Sequence, residues 1–347
     1  MANLRANIAV ALLMVGTLIA LGWFGSRRDW HGQRTGERPL VHPEPLWEMD
    51  TPADATAILT PEGVALVREA DRLRAVDPQG RHLFETSLPA DALVLPLLTR
   101  ESGISLLVLH AVPVLVGEHP YGESIRVRVG REGPVRNYDL PGEALLAAAV
   151  AGQRTVLGVM GLDGDRPEGR LHILDDGRQT AIHPLTAGTP FQLELCAAGE
   201  YLVAADSRTV HYLHLGTGRI IGDWRYPEGV RDVSLLSAGR PTVLTATALR
   251  VYDQRGRLAW RRPLRSPGVT MATSSRSIIV ATRDRLEAYL EDGESAGRWV
   301  PPGLVRAIAL TAHGDKLLVV YADRRVAMYR LLDPPTSAAA SRTGIGP

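Results

Sequence analysis

Cysteine is almost absent from this chain. Its one thiol, Cys196, allows no internal disulfide, no CxxC redox pair and no cysteine zinc site. Cys196 stands in the alternating apolar run FQLELCAAGEYLV, where a thiol packs as a small buried hydrophobe. Lysine is equally scarce: of 39 basic residues only Lys316 is a lysine, a bias of coding rather than of selected bidentate contacts. The net charge is +1 and no basic run is interleaved with aromatics, which leaves no field to attract nucleic acid. GxSxG, HExxH and P-loop motifs are all missing, and no acidic pair suits acid and base work. In HYLH, His211 and His214 differ by an odd number, so a strand sends them to opposite faces and they cannot chelate one ion as a pair. The acidic stretch DGDRPEG, Asp163 to Gly169, lacks the twelve-residue pattern of a calcium loop and reads as a solvated turn.

One long apolar run is present. Ile8 to Phe24 carries no charge over 17 residues, about 25 Å as a helix and enough for a single membrane span. A cleaved signal peptide is the rival reading, with Arg5 as its basic flank and Ala20 and Gly22 before the cut. Trp23 and Trp30 suit an interface, and the run is long for a signal peptide, so an anchor over residues 1–25 is expected. No cysteine follows the run, which excludes a lipoprotein. Arg27, Arg28, Arg34 and Arg38 argue for a cytoplasmic location of the bulk of the chain. Large domains translocate regardless of such charges, and the expected location is extracytoplasmic, periplasmic in type, with the cytoplasmic side as the alternative. Residues 26–41 read as a polar tether and 333–347 as a flexible tail.

Between them the chain repeats itself. VYDQRGRLAW, at Val251 to Trp260, reads as strand, tight turn and strand, and variants of it recur. Aligned on their turn glycines, the units fall at Gly80, Gly133, Gly177, Gly218, Gly256 and Gly293, a period of about 40 residues. Each unit holds four short alternating runs with turn residues between them, which is the signature of propeller blades rather than of a helical solenoid. There are six complete units and a seventh that stops at DPP before its fourth strand. EPLWEMDTP, ahead of the first unit, matches the missing strand through Trp47 and Pro52. The fold expected for residues 42–332 is therefore an all-β, seven-bladed β-propeller, preceded by one transmembrane helix and closed by its N-terminal strand. Trp224, Trp260 and Trp299, with Phe84, Tyr138 and Ile182 in their place elsewhere, are expected to pack between neighbouring blades.

LRVYDQRGRLAW, LRAVDPQGRHLF and VHYLHLGTGRIIGDW resemble the L-x-A-x-D-x-x-T-G-x-x-x-W repeat of quinoprotein-like propellers, the group of the quinoprotein alcohol dehydrogenases and the outer-membrane assembly protein BamB. WD40 propellers are a cousin reading, although no unit carries their Gly-His and Trp-Asp marks. The resemblance implies either a quinone-dependent enzyme or an assembly scaffold. A quinoprotein dehydrogenase would need a calcium-ligand set and commonly an adjacent cysteine pair, whereas asparagine stands only at positions 3, 7 and 137 and cysteine only at 196. No cofactor and no bound metal are therefore expected.

Two units are longer than the rest. HAVPVLVGEHPYGES, His110 to Ser124, and GLDGDRPEG, Gly161 to Gly169, insert between the second and third strands of adjacent blades, on one face of the ring. They are expected to emerge as loops, and loops on a rigid scaffold are where function is elaborated. The candidate partner-binding residues are Glu118, His119, Tyr121, Asp163, Asp165, Arg166 and Glu168. The function expected is a non-catalytic protein-interaction scaffold or assembly subunit of a membrane or envelope complex, anchored through residues 8–24. A quinoprotein-like or metal-dependent oxidoreductase and a small-ligand sensor using the central channel are the alternatives.

Overall fold

PTVLT, SIIVAT and KLLVVY are apolar or small at nearly every position instead of at every other one, which is the pattern of strands covered on both faces. A computed structural model of the chain describes residues 43–331, apart from 53, 90–91, 98–104, 114–121, 130–134, 164–165, 237 and 276. In it these runs are the second strands of blades in a seven-bladed β-propeller. The expected membrane helix over residues 8–24 lies outside the described residues. Among the described residues no helix is long and apolar enough to cross a membrane.

The closing strand β1 is Glu44–Asp50, and blade 1 follows as β2 to β5 (Thr56–Leu59, Ala65–Glu69, Arg72–Val76, His82–Ser87). Blade 2 is β6 to β9 (Leu93–Leu97, Ser105–Pro113, Gly122–Val129, Val135–Pro141), and blade 3 is β10 to β13 (Ala144–Ala151, Arg154–Asp163, Arg166–Asp175, Arg178–Pro184). Blade 4 is β14 to β17 (Gln192–Leu195, Tyr201–Ala205, Thr209–His214, Arg219–Arg225), and blade 5 is β18 to β21 (Val230–Leu235, Pro241–Thr245, Ala248–Tyr252, Leu258–Pro263). Blade 6 is β22 to β25 (Gly268–Thr273, Ser277–Thr282, Leu286–Leu290, Ser295–Trp299), and β26 to β28 (Val305–Leu310, Lys316–Tyr321, Arg325–Arg330) begin blade 7. Every sheet runs from channel to rim in chain order except the last, whose order is β26, β27, β28, β1. The N-terminal strand thus completes blade 7, as the placing of Trp47 beside Trp224 and Trp260 predicts, and the ladder runs from Glu44 opposite Arg330 to Asp50 opposite Arg325.

Packing follows the strand patterns. Second strands are buried throughout, whereas outer strands such as HLFETS and RQTAIHP are exposed at most positions. Seven buried clusters each straddle one blade interface, including Leu59 and Val67 of blade 1 with Leu318 and Met328 of blade 7. The ring is therefore closed by apolar packing as well as by the β1–β28 ladder.

The repeated Asp-x-x-Gly turn has a local cause. Asp77 Oδ1 accepts from the amides of Gln79 and Arg81, both at 2.9 Å, and Asp253 does the same for Arg255 and Arg257 at 2.9 and 2.8 Å. A left-handed residue closes each turn, and glycine is needed there for a second reason. A Cβ on Gly80, at φ +82°, would lie 3.1 Å from Trp47, and one on Gly293, at φ +86°, would lie 2.8 Å from the ring of Trp260. Each indole covers the turn of the following blade, and its Nε1 donates to that turn's backbone: Trp47 to Asp77 at 3.1 Å, Trp260 to Glu291 at 2.9 Å. Trp224 stacks on Tyr252 with ring centroids 4.1 Å apart, and Trp299 meets Tyr329 at 4.7 Å. Inter-blade packing of the tryptophans is thus what the structure shows.

Ile182 is a correction. It stands 45% exposed, because it lies an odd number of residues past Gly177 and strand alternation turns it outward. His183, one residue on, covers the Gly218 turn instead.

Two faces result from the strand order. The turns between first and second and between third and fourth strands form one, here the turn face. The hairpins between second and third strands and the blade-to-blade crossings form the other, here the hairpin face. Strand β1 starts at the turn face and β28 ends there, so the segments before residue 43 and after residue 331 both attach to that face.

Candidate functional site

The two long units are built mainly of strand. Gly161 pairs with Glu168, Leu162 with Pro167 and Asp163 with Arg166, although β10 reaches only to Met160. Likewise Ala111, Val112 and Pro113 pair with Ile125, Ser124 and Glu123, although β6 reaches only to Leu109. Where the insertions are described they are therefore prolonged strands and not loops, because the AVP and RPEGRL stretches extend their ladders instead of breaking them, while residues 114–121 lie outside the described residues. Both project past the first strands of adjacent blades on the hairpin face, as two arms.

Of the candidate residues, Glu118, His119, Tyr121 and Asp165 lie outside the described residues. Asp163 ends β11 opposite Arg166, whose side chain is exposed at the tip of the second arm. Glu168 is committed to the fold. It accepts from Arg170 Nε at 3.1 Å and Nη2 at 2.6 Å.

Beneath that arm lies a polar network that the sequence does not announce. Glu143, in the crossing from blade 2 to blade 3, is 5% exposed. Arg170 Nη1 donates to its Oε1 at 2.8 Å, and His172 Nε2 sits 2.9 Å from its Oε2. His172, buried on β12, meets the Tyr138 hydroxyl through Nδ1 at 2.7 Å, and that hydroxyl also bonds Gln179. Burial acts to raise the Glu143 pKa, and the contacts with His172 and Arg170 outweigh it, so the carboxyl stays below its ordinary range. Burial, with the nearby Glu143 charge, pushes the Tyr138 phenol up to about 12. The second arm is thus held to the blade 2–3 crossing by a buried carboxylate shared between a guanidinium and an imidazole. The first arm is tied to blade 3 by Glu123 Oε2, which accepts from Leu145 N at 2.7 Å.

Apolar side chains also crowd this face. Leu162 on the second arm, Phe191 in the blade 3–4 crossing, and Val300 and Leu304 in the blade 6–7 crossing are 51 to 72% exposed. Among the described residues the other exposed large apolar side chains are Leu83, Ile182 and Leu258 on outer strands and Leu290 at the turn-face end of β24. No spacing rule marks the four in the sequence, since exposure here depends on which connection carries them.

The remaining chemistry-bearing residues serve the fold. His211 is buried with Nε2 2.7 Å from the Ala187 carbonyl, while His214 accepts from Thr217 N at 3.2 Å and lies edge-on to Tyr201. Cys196 is buried, and its sulfur accepts from Tyr201 N at 3.3 Å. Among the described residues no three His, Cys, Asp or Glu side chains gather as a metal site.

No family model matches the chain, and no curated protein sequence matches it. Solved structures do. A chain of the mitotic checkpoint complex superposes with TM-score 0.61 at 11% identity, over 89% of this chain and 98% of that one. Raptor of Chaetomium thermophilum gives 0.64 at 12% identity, over 84% of this chain and 29% of Raptor. BBS1N, solved in complex with ARL6DN, gives 0.62 at 14% identity, over 86% of this chain and 99% of that one. At these identities the likeness is one of fold alone: a WD40-like, seven-bladed β-propeller.

Proposed function

We propose that this chain is a membrane-tethered, non-catalytic propeller of the quinoprotein-like type that docks protein partners of a membrane or envelope complex on its hairpin face. The observation that carries the reading is the disposition of the two arms. They share one face, and the segments before residue 43 and after residue 331 leave from the other. A tether through residues 8–24 would therefore join the propeller at the turn face and not at the arms, with the propeller on the extracytoplasmic side. The arms are preorganised by ladder bonds and by the Glu143 network, which lowers the ordering cost of association. Exposed Leu162, Phe191, Val300 and Leu304 supply the apolar contacts that interfaces bury. Structural neighbours solved within protein complexes support a protein as the partner. The Asp-x-x-Gly turns at Asp77 and Asp253 support the quinoprotein-like subtype.

The test shortens both arms to the length of the ATALR hairpin of blade 5, removing residues 111–123 and 161–168. Loop length costs little stability, so the ring should fold and melt close to the parent while partners no longer co-purify from detergent-solubilised membranes. Undiminished co-purification by the folded, shortened chain would refute the proposal.

A further inference from the structure

Where the channel opens on the hairpin face its wall is divided by chemistry. Leu93 and Leu95 of β6 and Leu146 of β10 make an apolar arc, joined by the exposed ring of Phe191. The adjoining arc carries Glu194 of β14 and Asp232 of β18, and the cavity between them is about 360 Å³, within the range of small-ligand sites. Leu146 stands at a bulge of β10, a distortion that re-aims side chains.

The two carboxylates are half-buried, and among the described residues neither forms an ion pair. Glu194 Oε1 accepts from the Ser234 hydroxyl at 2.9 Å and from Leu235 N at 3.1 Å, and its Oε2 takes no hydrogen bond from the described residues. Asp232 accepts from the Thr270 hydroxyl at 2.7 Å and from Val233 N and Met271 N at 2.9 Å. Ser234 in turn meets the Thr273 hydroxyl at 2.7 Å. Arg231, the next residue to Asp232, is exposed. The Ser234 and Leu235 donors account for one oxygen of Glu194, whose side chain lines the cavity together with Asp232 and the leucines. Burial, aided by the Asp232 charge, pushes the Glu194 carboxyl up to about 7, and burial raises Asp232 as well. Two acids held at this cost without a cation are matched by a cation brought from outside.

We infer that the channel mouth receives a guanidinium-bearing side chain presented by an apolar segment of a protein partner, with Glu194 as its pairing carboxylate and the Leu93–Leu146 arc covering the flanking apolar groups. The inference rests on the reading of the hairpin face as a protein-docking surface, and it specifies what that surface selects. A guanidinium stays charged at every working pH and is weakly hydrated enough to enter a half-buried site, where one of its N–H groups can donate to the open oxygen of Glu194.

The probe is n-butylguanidinium, with n-butylurea as its neutral isostere, titrated calorimetrically into the full chain. At pH 8.5 the guanidinium should bind at least tenfold more tightly than the urea. Because the arriving cation must displace the Glu194 proton, its affinity should fall about tenfold by pH 5.5 while that of the urea stays level. Glu194→Gln should erase the preference for the cation without lowering Tm; the pH series on the parent chain gives the same answer should the variant not fold. Equal binding of the two probes, a flat pH profile, or an undiminished preference in Glu194→Gln would overturn the inference. The probes do not touch the arms, so their success beside a failed arm-shortening experiment would retain the site and discard the arms, and the converse result would do the reverse.

Discussion

Replacing Trp47 by alanine attacks the one blade that the chain must assemble from its two ends. The indole is half-buried among Leu318, Met328 and Val76, lies across Gly80, and donates to the Asp77 carbonyl at 3.1 Å. If about two thirds of its roughly 200 Å² is covered, the lost burial is worth about 3 kcal/mol at 25 cal/mol per Å². Loss of the Nε1 donor adds about 1 kcal/mol, little more, because water can reach the freed carbonyl. The sum, about 3–4 kcal/mol, corresponds to a fall in Tm of roughly 5–7 °C for a domain of this size. Glu44→Ala is the control on the same strand. Its partner Arg330 and the carboxylate itself are more than half exposed, so the pair contributes little and Tm should scarcely move. Thermal melts of the two variants beside the parent decide the matter. If Trp47→Ala melted with Glu44→Ala, β1 would not be closing the ring and the account of blade 7 would be wrong.

Glu143→Leu leaves His172 without its carboxylate and Arg170 with Glu168 alone, so about 2 kcal/mol of stability should be lost, and hydrogen exchange in residues 161–169 should accelerate. Because the folded pKa of Glu143 is depressed, its stabilisation is present above the ordinary glutamate value and is lost as pH falls through the folded one. Urea melts between pH 7 and pH 3 should show that acid-linked loss in the parent and less of it in Glu143→Leu. Glu194 has the opposite sign: with a folded pKa near 7, its ionisation opposes folding progressively from about pH 4.5 upward and fully above 7. Glu194→Gln should therefore gain on the order of 2 kcal/mol over the parent at pH 8 and nothing at pH 4; an equal effect at both would show that the carboxyl is not desolvated. A reporter active only in the cytoplasm, fused after Pro347, should be silent, and activity there would reverse the proposed membrane side.

The ring was legible because its signals are periodic and local. The units share a turn glycine, reinforced at Asp77 and Asp253 by the turn's own carboxylate, and Trp47 and Trp260 sit where the next blade's turn has no side chain, so six units and the orphan strand at Trp47 fall into one register. Parity is subtler: Ile182 stands an odd number of residues past Gly177 and faces out, while His183, at an even number like Trp224 and Trp299 from their glycines, faces the next blade's turn. Insertions were legible by length and misjudged in kind, since a hairpin that merely lengthens carries the same residues as a loop. Glu143, Arg170, His172 and Tyr138 come together from two blades and 34 residues of separation between Tyr138 and His172, a meeting that no local pattern encodes. The channel carboxylates were hidden for the same reason. Glu194 and Asp232 are ordinary alternating residues of their own strands, and only ring closure places them at a common mouth.

The central claim is that partners are held on the hairpin face. A photo-crosslinking residue placed at Leu162, Phe191 or Leu304, and for comparison at Leu83 or Leu258, tests it in intact membranes without disturbing the fold, since all five side chains are exposed. Adducts with a discrete protein partner should form from the first three positions and be absent from the other two. Adducts from Leu83 or Leu258 with none from the hairpin face would contradict the account.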